Sequence, residues 1–133
     1  MNKTFIDKLA LIQIENRKVM LNWETGKTVW IMPGGKRETG ESDIEALSRE
    51  LREELSIDLQ ISTVKLLGVY EGQAHGKPEG TIVRITCYTG KYAGEVKPNP
   101  PVEKIGWVDS TELKLSIPGK MLIKDLKSKD LID

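Results

Sequence analysis

Residues 34 to 57 read GGKRETGESDIEALSRELREELSI, and this run constrains the fold more than any other part of the chain. A helix is predicted over Glu41 to Leu55, with Ser42 as N-cap and Glu45 three residues on, the spacing of a capping box. At about 100° per residue, Ile44, Leu47, Leu51 and Leu55 fall on one apolar stripe, which must be buried. Glu50, Glu53 and Glu54 follow i, i+3, i+4 spacing on a different face, so their side chains are neighbours. The chain therefore has to build a core against one side of this helix and accommodate three adjacent carboxylates on another.

Each like-charge pair costs a few tenths of a kcal/mol, roughly, on an exposed helix. A divalent cation removes that cost. Mg²⁺ takes oxygen ligands and binds through one or two carboxylates plus substrate phosphates. Gly34 and Gly35 allow backbone to approach a ligand with no Cβ in the way. Arg49 and Arg52 flank the glutamates and are placed to hold them by charge-assisted hydrogen bonds. Glu-rich helices are also common as solvated faces, so helix geometry leaves both readings open.

The rest of the chain supplies the setting. Its 133 residues fit one domain, 1–133. Lys+Arg and Asp+Glu both total 20, which argues against a protein held on nucleic acid or an anionic membrane by bulk charge. The N-terminal apolar stretch is broken by Asp7 and Lys8, unlike a signal peptide, and no apolar run has membrane-spanning length. A cytoplasmic location is the default expectation. Cys87 is the only cysteine, so no internal disulfide forms; its place in a β-rich run suits a core thiol.

Strands are predicted at Leu9–Ile14 and Val19–Trp23, joined as a hairpin by Asn16-Arg17-Lys18. A third short β-prone run, Thr28–Met32, ends in a Pro33-Gly34-Gly35 turn. Ile61–Tyr70, Thr81–Thr89 and Ile105–Val108 complete the strands, with a polar loop from Gly72 to Gly80. A C-terminal helix is expected over Lys120–Lys127, with Met121, Leu122 and Leu126 facing inward. Strands and helices mix without regular alternation, which predicts an α+β or layered α/β/α domain with a mixed sheet.

Read as a string, the 35–57 segment resembles the Nudix box of the Nudix hydrolase superfamily. That pattern is Gly, five residues, Glu, seven residues, then Arg-Glu-aliphatic-any-Glu-Glu-any-Gly-aliphatic. Gly35, Glu41, Arg49, Glu50, Leu51, Glu53, Glu54 and Ile57 match it; Ser56 stands where the family has Gly, at the helix terminus. The resemblance implies a mixed sheet between helices, with the box as loop-helix-loop. It implies Mg²⁺ (or Mn²⁺) held by Glu50, Glu53, Glu54 and a carbonyl of Gly34 or Gly35. Glu41 and Arg49 would brace the helix, and Glu53 or Glu50 would act as general base. The implied reaction is hydrolysis of a diphosphate linkage in a small nucleoside diphosphate-linked molecule.

A nucleoside triphosphate, intact or damaged, is the leading substrate expectation for a small MutT-like member. ADP-ribose, nucleotide sugars and a silent nucleotide-binding module are the alternatives. Several family members carry a further acid where this chain has Pro101, with Glu103 and Glu95 nearby. The Asn that MutT-like members use near the last helix is absent from Ser116–Lys120. For substrate binding, Trp23 is a stacking candidate, and Lys36, Arg37 and Arg84 are phosphate candidates, while Trp30 is read as packing. His75 has no second His or Cys beside it, which argues against zinc. A homodimer is common in the superfamily.

Overall fold

A computed structural model describes residues 4–133; the first three positions of the expected 1–133 domain lie outside the described residues. Strand β1 (Thr4–Leu11) is the axis of the fold. Its alternating side chains serve two separate cores. Leu9 and Leu11 point to a cluster with Ala46, Leu47, Leu51 and Leu55 of helix α1 (Asp43–Leu55). Ala10 points to the other cluster, with Cys87 and with Leu122 and Leu126 of helix α2 (Ile117–Ser128). The sheet thus lies between two helices, the α/β/α sandwich expected.

The main sheet also contains β4 (Gly34–Lys36), β6 (Lys65–Gln73) and β7 (Thr81–Thr89), in the order β4-β1-β7-β6. β1 and β7 are parallel and the other pairs antiparallel, so the sheet is mixed. A second sheet joins β2 (Ile14–Glu15), β3 (Lys18–Glu24) and β9 (Val102–Val108), all antiparallel. β3 divides its side chains as β1 does: Val19 and Leu21 join the α2 core and Met20 the α1 core. A short pair, β5 (Asp58–Leu59) with β8 (Tyr92–Ala93), closes the far end of α1. Among the described residues no helix is long and apolar enough to cross a membrane.

Several local expectations change. The first hairpin forms between β2 and β3, not between the long first strand and β3, because β1 is taken by β4 and β7. Asn16 and Arg17 turn it with φ of 51° and 61°, as a two-residue hairpin turn requires. Thr28–Met32 is not a strand. It makes only isolated bridges, Asn22 with Ile31 and Trp30 with Leu115. The glycine turn is itself strand β4: Gly34 pairs with Ala10 and Gly35 with Leu9. Ile61–Thr63 forms a single 3₁₀ turn before β6 begins. In α2, Leu122 and Leu126 are buried as expected but Met121 is 42% exposed; Ile123 takes the inward place.

α1 begins with the expected capping box, Ser42 Oγ accepting from the Glu45 N–H and Glu45 accepting from the Ser42 N–H. It ends at Ser56, which adopts the left-handed conformation (φ 61°, ψ 30°) expected of the family's glycine. Its hydroxyl donates to the Lys97 carbonyl (3.1 Å) and accepts from Asn99 Nδ2 (2.8 Å). Those bonds offset the steric cost of about 1–2 kcal/mol for a side chain there.

Candidate active site

The carboxylate cluster stands where α1 crosses β4. A Cβ on Gly35 would lie 2.5 Å from the Glu50 carboxyl carbon, so only glycine leaves room for that carboxyl against the strand. A Cβ on Gly34, with φ of 138°, would lie 2.0 Å from the Leu9 carbonyl oxygen. Gly35 lets the α1 carboxyl lie against β4, and Gly34 lets β4 lie against the β1 backbone.

Arg49 organises the entrance to α1. Its Nε donates to Glu41 Oε2 and its Nη2 to Glu41 Oε1, both at 2.8 Å. Nη1 donates to Glu50 Oε1 at 2.8 Å, and Nη2 also reaches the Lys36 carbonyl at 3.0 Å. This fork holds the Glu41 carboxyl well below its ordinary range, at about 2. Arg52, expected beside it, turns away to Asp58 (2.8 and 2.6 Å) and does not hold the cluster.

Glu50 and Glu54 come together, one helical turn apart and lining the same cavity. Burial, the Glu50 carboxyl and the charge of Glu24 together push the Glu54 carboxyl up to about 8. Buried Asn22 on β3 donates Nδ2 to Glu54 Oε2 at 3.4 Å, while its own Oδ1 has no partner. Glu53 stays apart, 61% exposed and 3.6 Å from Arg49. Among the described residues no three His, Cys, Asp or Glu side chains converge at metal-ligating distance.

The donors present fit a hard divalent cation. Two neighbouring carboxyl groups, one held in a glycine-lined cradle, present oxygen donors, and the buried Asn22 amide oxygen beside them has no partner. Oxygen-only donors suit Mg²⁺ or Mn²⁺ rather than zinc.

Two adjoining cavities meet at this cluster. One, of about 250 Å³, is lined by Glu24, Glu50, Glu54, Gly34 and Gly35. The other, of about 240 Å³, has a floor of Leu21, Val29, Met32, Val83 and Leu115, with Trp30 in its wall. Lys8, Ile31, Met32, Lys36 and Ile85 line both, so the cavities share a wall. His75 and Lys77 line the apolar cavity from the 74–80 loop, and His75 Nε2 is 2.9 Å from Thr28 Oγ1.

The expected substrate residues separate. Lys36 lines both cavities. Arg37 is engaged by Asp7 (3.2 Å) and by Asp43, so its charge is already balanced. Arg84 pairs with Glu71 (3.2 Å) over the Phe5 ring, and strand alternation puts it on the face opposite Val83 and Ile85. Trp23 packs edge-on against Trp30 at 5.1 Å between ring centroids, and Trp30, read as packing, is the indole that lines the cavity.

Two residues were missed. Lys8 shares a β1 face with Ile6 and Ala10, and a lysine on an otherwise apolar strand face was a readable signal. Glu24 had none: it enters the site because β3 pairs with β9, Glu24 opposite Val102. The neighbouring Thr25 N–H donates to the Pro101 carbonyl (2.9 Å), so Glu24 brings a carboxylate from the strand beside the position where Pro101 stands. Glu103 instead accepts from Thr25 Oγ1 (3.1 Å) and is exposed.

Comparison with known proteins agrees with this geometry. The NUDIX domain model matches residues 8–127. An ADP-ribose pyrophosphatase of Methanocaldococcus jannaschii is 28% identical over 119 residues, covering 87% of this chain and 69% of that protein. The m7GpppN-mRNA hydrolase NUDT17 of Xenopus laevis is 39% identical over 67 residues, 47% of this chain but 23% of its own length. Among solved structures, the MutT NUDIX hydrolase from Burkholderia pseudomallei superposes with a TM-score of 0.75 at 22% identity, covering 92% of this chain and 98% of that one. The MutT protein from Methanosarcina mazei Go1 does so with 0.76 at 18% identity, covering 98% of both. At those identities the structures show a shared fold, and the domain match spans nearly the whole chain: it belongs to the Nudix family of pyrophosphohydrolases.

Proposed function

We propose that this protein hydrolyses a diphosphate linkage in a nucleoside triphosphate, intact or damaged, with Mg²⁺ (or Mn²⁺) held by Glu50, Glu54, Glu53 and a carbonyl of the Gly34-Gly35 strand. The observation that carries the reading is the adjacency of the two cavities. An apolar space with an indole wall lies beside the carboxylate-lined one, with Lys8 and Lys36 among the residues they share. A base and sugar fit the first and a phosphate chain the second, as small-ligand sites are usually arranged.

The bound cation supplies charge neutralisation at the phosphate oxygens and a more acidic water. The protein residues do the rest. Arg49 fixes the direction of Glu50 and ties it to Glu41. Asn22 holds Glu54. Glu53, exposed and only loosely held by Arg49, accepts the proton of the attacking water. Lys36 lies where the chain of phosphates enters.

ADP-ribose is the second reading, supported by the similarity to the archaeal ADP-ribose pyrophosphatase over most of this chain. The test is phosphate or pyrophosphate release from nucleoside triphosphates, oxidised triphosphates, ADP-ribose and nucleotide sugars with Mg²⁺ or Mn²⁺. Release from triphosphates above all others supports the first reading. Preference for ADP-ribose replaces it with the second, and silence across the panel favours a binding module.

A further inference from the structure

Lys8 lines both cavities, and among the described residues no hydrogen bond or ion pair engages its ammonium. It is on β1, with β4 on one side and β7 on the other, directly opposite Lys36 and in register with Ile85. Like charges directly opposite across an antiparallel pair are destabilising. Both lysines line both cavities, at the seam where the apolar space meets the carboxylates. Among the described residues the Lys8 ammonium makes no hydrogen bond and no ion pair, although Glu24 and Glu54 lie near enough to feel its charge. Burial pulls the ammonium below its ordinary range more strongly than those carboxylates raise it. Lys27, Lys77 and His75 add to the same rim, and no Asp or Glu lines the apolar cavity.

Two apposed lysines beside two apposed glutamates form a complementary arrangement. The glutamates await a cation and the lysines an anion. We propose that Lys8 is a substrate-binding residue, whose ammonium grips the phosphoryl group that stays attached to the moiety in the apolar cavity. This rests on the phosphate-chain reading above and adds to it which end of the chain is held without metal. The ligand class it implies is a nucleoside monophosphate, the part of the substrate that remains when the linkage is cut.

Lys8→Met tests this, since it keeps the length and apolar stem while removing the charge. Binding is measured in EDTA, by calorimetry and by thermal shift, with adenosine, guanosine, cytidine and uridine 5′-monophosphates and the matching nucleosides. The wild type is expected to bind at least one monophosphate more tightly than its nucleoside. In Lys8→Met that preference falls by about tenfold or more, the size of a lost charge-assisted hydrogen bond. The ligand-free variant is also expected to unfold at a higher temperature, because the repulsion between the half-buried Lys8 and Lys36 directly opposite it has gone. A structural role would give the opposite shift. A lower unfolding temperature, an unchanged monophosphate preference in the variant, or no monophosphate binding to the wild type at millimolar concentration would each overturn the assignment. Because no metal or turnover is involved, a wild type that binds monophosphate but cleaves nothing would contradict the hydrolase reading and leave this one standing.

Discussion

Arg49 of α1 holds Glu41 of the preceding loop, eight positions earlier, through two parallel hydrogen bonds of 2.8 Å. With its third hydrogen bond to Glu50, the same guanidinium locks loop, helix and proposed metal ligand into one unit. Lysine cannot reproduce a planar fork. Arg49→Lys is therefore expected to lower turnover or metal affinity by about 10–100-fold, the usual effect of removing a ligand's hydrogen-bonding support. Steady-state kinetics against Mg²⁺ concentration checks this. Wild-type kinetics in Arg49→Lys would show that the fork has no such role.

Glu54 and Glu41 should leave opposite marks on stability against pH. The Glu54 carboxyl is raised from 4.5 to about 8 in the folded state, so its contribution is present below pH 4.5 and is lost as pH rises through 8. The Glu41 carboxyl is lowered to about 2, so its contribution is present above pH 4.5 and is lost as pH falls towards 2. Thermal unfolding in EDTA should therefore decline on both sides of a mildly acidic optimum. Mg²⁺ should raise the unfolding temperature more at pH 8 than at pH 6, since binding must displace the Glu54 proton. Glu54→Gln should flatten the alkaline decline and abolish the Mg²⁺ effect. An alkaline decline that persists in that variant would assign it to another group.

Asn99 closes the C-terminal end of α1. Its backbone N–H donates to the Glu54 carbonyl (2.8 Å) and its Nδ2 to the Glu53 carbonyl (3.0 Å) and Ser56 Oγ. Asn99→Ala should cost about 0.5–1.5 kcal/mol by denaturant unfolding. Ser56→Gly in the same background should recover part of it, because the left-handed turn would no longer carry a side chain. No loss in Asn99→Ala would mean that water replaces the side-chain donor at the Glu53 carbonyl and Ser56 Oγ.

Leu51 is wholly buried between α1 and β1 and carries no chemistry. Leu51→Ala should destabilise the protein by about 2–5 kcal/mol, measured by urea unfolding, while the folded fraction keeps its activity per molecule. A loss of specific activity without destabilisation would couple the core to the site more tightly than the packing implies.

What the sequence disclosed was local. The capping box, the Leu47/Leu51/Leu55 stripe and the strand Thr81–Thr89 depend on neighbours a few positions away, and all are found in place. The sequence did not disclose which strands pair. β1 paired with β7 rather than closing a hairpin with β3, and a long-range register of that kind leaves no local trace. The same limit hid Glu24, whose place beside the cluster depends on the β3–β9 register, and the packing of Trp23 on Trp30, the indole that lines the cavity. Helix periodicity put Glu50, Glu53 and Glu54 side by side but could not tell which would be drawn together. Glu50 and Glu54 face β4, and Glu53 faces solvent.

The most direct test is Mg²⁺-dependent cleavage across the substrate panel by the wild type, Glu53→Gln and Glu54→Gln, with folding checked by circular dichroism. A clear wild-type substrate is expected, with folded variants whose turnover falls by several orders of magnitude. Wild-type-like turnover in either folded variant would contradict the role assigned to the glutamates of α1.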